Sequence, residues 1–220
     1  MVELLLKAKA DVNIRSSYKC CRCTALHCAT WSGQEAVVKL LLEAKADVNV
    51  RNSHQRTALH WAAQNENERV VKLLLKAKPD VNMGDGYGRT ALYWAAIGGH
   101  LAVFKLLEAK ADVIVKTVCG WPALHCAAYN GHLAVVKLLL EAEVDVDIED
   151  NIRKTALHRA ARGGHEEVVK SLLETKADIN VKDNHGWTAV HWAAQNKHEA
   201  VVKLLLEAEA DINVESIVEG

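Results

Sequence analysis

The chain has 220 residues, half of them apolar and a quarter charged, with only two prolines and twelve glycines. That composition supports a large core and argues against a disordered or linker-rich chain. A net charge of −1 gives no global pull toward nucleic acid or an anionic membrane, and apolar runs such as residues 91–97 are far too short to span a bilayer.

Residues 1–15 read as the second helix and outgoing strand of an incomplete unit, in which Leu4, Leu5 and Leu6 lack a preceding helix to cover them. The opening Met-Val-Glu-Leu-Leu-Leu carries neither a basic leader nor a small-residue cleavage site, so no secretory signal is expected. Three extra residues around Ser16, Ser17 and Tyr18 lengthen the turn into the first full unit. That unit holds Cys20, Cys21, Cys23 and Cys28, with Cys119 and Cys126 elsewhere. Such bunching is not a disulfide framework, which points to a reducing compartment, cytoplasm or nucleus.

From residue 24 the phrase Thr-Ala-Leu-His recurs, at 24–27, 57–60 and 155–158. Near copies begin at Thr90 (ending in Tyr93), Pro122 (ending in His125) and Thr188 (with Val190 for leucine), so the starts lie 33, 33, 32, 33 and 33 residues apart. A second phrase, Ala-Asp-Val-Asn, keeps step from Asp47 through Asp80, Asp112, Asp145 and Asp178 to Asp211. A fixed period of this length signals a stacked array. The third unit is one residue short at Phe104-Lys105-Leu106-Leu107, where a local helix distortion is expected. Pro122 replaces the capping threonine of the fourth unit, and the lost hydroxyl is expected to weaken that unit by about 1 kcal/mol.

The sixth unit shows the elements most clearly. Residues 183–187 are rich in turn formers, and Thr188 sits where a helix N-cap belongs. Residues 189–196 read as a short helix whose Ala193 and Ala194 let a neighbour approach closely. Residues 198–208 read as a second helix, and Val201, Val202, Leu204, Leu205 and Leu206 make its apolar face too broad for one wet side. Neither helix is long enough to be stable alone, so stacking supplies the free energy. Nothing polar follows to cap Val201, Val202 and Leu205, which leads to the expectation that the ends self-associate or continue into a longer chain.

The shared pattern, Asp-x-x-Gly-x-Thr-Ala-Leu-His-x-Ala-Ala-x-x-Gly-His-x-x-Val-Val-x-Leu-Leu-Leu-x-x-x-Ala-Asp-Val-Asn, resembles the ankyrin repeat. The resemblance covers one array over 1–220, with a partial unit at 1–15 and full units at 19–51, 52–84, 85–116, 117–149, 150–182 and 183–215. It implies an all-α repeat solenoid of helix-turn-helix units with β-hairpin or turn fingers. Alanine stands at the first helical position where the family usually has proline, a substitution of little consequence. The family's glycine before Ala-Asp is replaced by Lys9, Lys45, Lys78, Lys110, Glu143, Lys176 and Glu209, and that between the helices by Glu66 and Lys197. Left-handed residues of these types cost about 1–2 kcal/mol each, partly recovered where lysine meets a helix C-terminus.

Ankyrin-type units bind proteins through finger tips and the exposed side of the first helix. Carried over, those positions include Trp31, His54, Arg56, Gln64, Asn65, Tyr87, Arg89, Ile97, Trp121, Tyr129, Asn130, Lys154, Arg162, His185, Trp187, Gln195 and Asn196. They are rich in aromatic and basic side chains, the usual anchors of interfaces, and contain no Asp or Glu. A protein partner with an acidic and apolar segment is therefore expected. The histidines recurring at 27, 60, 125, 158 and 191, and at 100, 132, 165 and 198, read as structural hydrogen-bonding groups. Trp61, Trp94 and Trp192 read as packing between repeats.

Cys20 and Cys23 form one C-x-x-C pair beside Cys21, His27 and Cys28. Structural zinc sites add a second such pair, and none follows, so no metal or cofactor is expected. The absence of G-x-x-x-x-G-K-S/T, G-x-S-x-G and H-E-x-x-H motifs argues against an enzyme. The sequence thus points to a non-catalytic protein-interaction scaffold binding no nucleic acid and no membrane. The alternative is a targeting or regulatory module of a larger enzyme or signalling protein.

Overall fold

The computed structural model describes residues 11–17 and 21–211, apart from the side chain of Val103. The expectations placed on Leu4, Leu5, Leu6, Lys9, Tyr18 and Cys20 lie outside the described residues. Among the described residues every regular element is a helix, and packing separates two compact units, Met1–Val115 and Lys116–Gly220.

The first unit contains α1 (Ala25–Trp31), α2 (Glu35–Glu43), α3 (Ala58–Gln64), α4 (Glu68–Lys76), α5 (Ala91–Gly98) and α6 (Ala102–Glu108). α1 stacks on α3 and α3 on α5, while α2, α4 and α6 form a second row. Small side chains make the first row close: Ala62, Ala63, Ala95 and Ala96 are fully buried beside Leu59 and Leu92. Val38, Val70, Val71, Leu74 and Leu106 fill the space between the rows. Truncating one of these buried leucines to alanine would cost about 2–5 kcal/mol. The expected distortion in the third unit takes the form of a shortened helix. α6 has seven residues where α2 and α4 have nine, and Leu101 and Phe104 stay exposed.

The second unit contains α7 (Ala123–Tyr129), α8 (Leu133–Glu141), α9 (Ala156–Gly163), α10 (Glu166–Glu174), α11 (Ala189–Gln195) and α12 (Glu199–Glu207). It repeats the arrangement, α7–α9–α11 in one row and α8–α10–α12 in the other. Leu124, Val136, Leu139, Leu157, Val169, Leu172 and Leu205 are its buried aliphatic centre.

The recurrent phrases have direct structural readings. In each Thr-Ala-Leu-His copy the threonine and the histidine cap the first helix reciprocally. In the first unit Asn13, Asn49 and Asn82 each accept a bond from the backbone N–H of the next repeat's aspartate, at Asp47, Asp80 and Asp112. In the second unit Asp147 and Asn180 do the same for Asp178 and Asp211. The fingers are tight turns, closed by bonds such as Asn52 N–H to Arg56 O and Asp183 N–H to Trp187 O. Neighbouring fingers join through Gly86 N–H to His54 O in the first unit and Asn184 N–H to Ile152 O in the second. The left-handed positions are where the missing glycines place them: Lys45, Lys78, Lys110, Glu143, Lys176 and Glu209, with Glu66 and Lys197, all have positive φ.

Candidate functional site

In the first unit the finger leading into α5 is organised by Asp85, whose side chain is fully buried. Its Oδ1 accepts backbone bonds from Tyr87 and Arg89, fixing the turn. Its Oδ2 accepts from the guanidinium groups of Arg89 (2.9 Å) and Arg56 (3.4 Å) and from the indole N–H of Trp94 (3.3 Å). Burial raises the Asp85 carboxyl, but bonds from Arg89 and from the Tyr87 and Arg89 backbone outweigh it and hold it below its ordinary range. Burial lowers Arg56, and the neighbouring Arg89 charge lowers it further, with Asp85 opposing both.

The two guanidinium groups are also stacked. Arg56 lies over Trp61 and over Trp94, at 4.6 and 4.0 Å from the ring centres. Arg89 lies over the other neighbours, Trp94 at 4.3 Å and Tyr87 at 4.7 Å. The result is a column, Trp61–Arg56–Trp94–Arg89–Tyr87, in which each cation is held by two π-faces and a carboxylate. Beside it opens a cavity of about 510 Å³ lined by Ser53, His54, Gln55, Arg56, Trp61, Gly86, Tyr87 and Arg89. Gln64 accepts a bond from Arg56, and Asn65 donates to the Trp31 carbonyl. Trp31 is 55% exposed and meets Trp61 edge-on at 4.7 Å. Ile97 is half-buried at the end of α5.

The second unit repeats the design with different pairs. Asp150 is ion-paired with the buried Arg159, whose guanidinium lies 3.9 Å over Trp121. Trp121 in turn packs against Tyr129 at 5.9 Å. Asp183 receives the Trp192 indole N–H at 2.9 Å and the Lys154 ammonium at 3.7 Å. Lys154 is only 4% exposed and lies 3.6 Å over Trp192; burial lowers it, with Asp183 opposing. Arg162 is exposed over the same indole at 5.3 Å, with no ion pair among the described residues. Trp187 leans on Trp192 at 5.0 Å. His185 and Gln195 are exposed, and Asn130 and Asn196 donate to carbonyls of Cys126 and Trp192 in their own helices.

This geometry of capped short helices, asparagine ladders and finger turns meets an independent finding. A family model described as ankyrin repeats (3 copies) matches residues 1–52, 46–117, 107–183 and 124–216. The chain belongs to the ankyrin-repeat family. Ankyrin repeats are generally protein–protein interaction modules and are typically non-enzymatic. A search of curated proteins finds no match.

The histidines of this ankyrin-repeat chain form two sets of locks. Nε2 of His27, His60, His125 and His158 reaches the finger carbonyl of Arg56, Arg89, Lys154 and Trp187 respectively. A carbonyl only accepts, so Nε2 carries the proton, and in His27, His60 and His158 Nδ1 accepts from the backbone N–H of the capping threonine. Burial lowers all four, to about 4 at His60 and His125. His100, His165 and His198 bond the carbonyls of Gln64, Tyr129 and Arg162 at the ends of first helices.

Cys23 and Cys28 are free thiols, and no group of three or more potential ligands among the described residues is placed to hold a metal. Cys23, Cys28, His27, Trp31, Ser32 and Trp61 instead line a cavity of about 390 Å³. Burial pushes the Cys23 thiol up to about 11, so it is a poor thiolate. No helix of the described residues is long and apolar enough to cross a membrane.

Sequence reasoning missed the buried supports of this surface: Asp85, Asp150, Asp183 and Arg159, together with the indole N–H roles of Trp94 and Trp192. The signal was available. An aspartate opens these fingers, and Trp94, Arg159 and Trp192 each follow one by nine residues. A face without acids in its contact positions is thus carried on carboxylates beneath it.

Proposed function

We propose that this ankyrin-repeat protein is a non-catalytic scaffold that binds a protein partner through its fingers and the exposed side of its first helices. The observation that carries this reading is the column Trp61–Arg56–Trp94–Arg89–Tyr87, in which the buried Trp94 and the largely shielded guanidinium groups hold the exposed Tyr87 ring in a fixed position. Side chains ordered before docking lose little entropy on binding, so their contact area converts efficiently to affinity. A specific contact burying about 1,600 Å² in total is the scale to expect. Exposed rings at Trp31 and Tyr87 in the first unit, and at Tyr129 in the second, offer anchors of the type that dominates interfaces. Lys154, being buried, supports the surface from beneath through Asp183 and Trp192. The partner segment that fits is partly apolar and acidic.

The test is affinity capture with the wild-type chain beside a Tyr87→Ala, Trp121→Ala, Tyr129→Ala variant of equal helical circular dichroism. The wild type is expected to retain specific partners that the variant loses. A variant that keeps every partner would show that the binding face lies elsewhere.

A further inference from the structure

The two units treat their cations differently. In the second, each buried cation has its own carboxylate, Asp150 for Arg159 and Asp183 for Lys154, while Arg162, without an ion pair among the described residues, is exposed to solvent. In the first, Arg56 and Arg89 converge on the single carboxylate of Asp85, which leaves one positive charge in surplus. That surplus borders the cavity of about 510 Å³, and none of its eight lining residues is acidic. Both guanidinium groups are largely shielded, with side-chain exposures of 13% and 23%, so solvent screens the imbalance poorly. The cavity also carries the Trp61 ring and the 66%-exposed Tyr87 ring, apolar surface on either side of the charge.

We infer that this cavity is the seat for one carboxylate side chain, a glutamate or aspartate of the partner polypeptide, with an adjoining apolar residue against Trp61 or Tyr87. The inference rests on the scaffold reading above and assigns one anchor within it. One incoming negative charge balances the site, and a planar carboxylate suits the fork of a guanidinium. A doubly charged phosphoryl group overshoots the balance.

The probe is a library of random peptides displayed on phage and selected on the intact chain. Selected peptides are expected to share an acidic residue at one fixed position beside an apolar one. Replacing that acid with its amide should weaken binding about tenfold or more in the wild type, as for a lost charged hydrogen bond. The same replacement should have no effect on Arg89→Gln. In that variant Arg56 still neutralises Asp85, so the fold is kept while the surplus charge is gone. Tyr87→Ser, which removes an exposed ring and one π-face over Arg89 but keeps both guanidinium charges and Asp85, should weaken the peptides while leaving the acid preference intact. Selected peptides without a fixed acid, an undiminished amide effect in Arg89→Gln, or tighter binding of a phosphoserine peptide would each overturn the inference and leave the scaffold reading standing. Failure of the wild type to enrich any peptide would overturn both.

Discussion

Nε2 of His60 donates to the backbone carbonyl of Arg89 at 3.0 Å, tying the first helix of one repeat to the finger of the next. On its other side Nδ1 takes the Thr57 N–H at 3.0 Å. A proton added to Nδ1 would face a donor, so the lock works only while the ring is neutral. Burial, the largest influence, lowers His60 to about 4, with Asp85 and the Arg89 carbonyl opposing. His125 is likewise lowered to about 4, and His27 and His158 are lowered in the same direction. The unfolded chain protonates these rings below about pH 6.5, whereas in the folded chain His60 and His125 resist until about pH 4. Their contribution is complete above about pH 6.5 and is lost as pH falls toward 4, by up to about 1.4 kcal/mol per pH unit for each ring. The urea midpoint is expected to be flat above about pH 7 and to fall steadily below about pH 6.5. A midpoint unchanged between about pH 7 and pH 5 would show that these rings carry no such linkage.

Pro122 breaks this pattern once. It has no hydroxyl and no N–H to offer, and the Nδ1 of the fully buried His125 is left with no hydrogen-bond partner. Pro122→Thr restores both groups at a buried position that threonine occupies at 155 and 188 of the same unit. It should stabilise the chain by about 1 kcal/mol, the restored cap and acceptor exceeding the stiffening lost with proline. Chemical denaturation of the two proteins decides it. Equal or lower stability of the variant would mean that the orphaned nitrogen is tolerated at no cost.

Asp85→Asn leaves Arg56 and Arg89 facing each other across Trp94 with no counter-charge. Breaking a buried ion pair by removing one partner costs about 3 kcal/mol or more. The neutral amide also loses the strong acceptor for the Trp94 indole N–H. Glu68→Gln, which removes an exposed partner of Lys72, should by contrast leave the denaturation midpoint unchanged. Similar losses from both substitutions would mean that the Asp85 hub is no stronger than a surface pair.

Much of this was legible in the sequence because repeat period and capping chemistry are local. Thr57 and His60 lie three residues apart, so their reciprocal cap follows from the phrase itself. The positive φ of Lys45 and Glu143 follows from the position each holds after a helix. The binding surface was less legible because its parts meet only in three dimensions. Trp94 was readable as inter-repeat packing, but its indole N–H reaches back nine residues to Asp85, and its ring separates arginines from two different fingers. No helical or strand periodicity carries that relation. Lys154 looked like a contact residue by position, yet its ammonium is drawn inward by Asp183 of the next finger. The shortened α6 could be placed in the sequence, but whether it would bend or start late depended on packing.

The left-handed residues after the second helices offer the last prediction. Glu143 has φ 57° and Lys176 has φ 65°, and each backbone N–H closes its helix by bonding Leu140 O or Leu173 O. Glycine relieves the side-chain clash at such a position, by about 1–2 kcal/mol, less the freedom it adds to the unfolded chain. The two sites differ in charge. A carboxylate at a helix C-terminus opposes the helix dipole, whereas an ammonium complements it, each by about 0.3–1 kcal/mol. Glu143→Gly removes strain together with an unfavourable charge, while Lys176→Gly removes strain together with a favourable one. The first substitution should therefore stabilise the chain by about 1 kcal/mol and the second by less. Parallel urea titrations at low ionic strength measure both. The difference should shrink in salt, since screening acts on the dipole term and not on the steric one. A larger gain at Lys176, or a loss at Glu143, would mean that the helix ends are not where the strain resides.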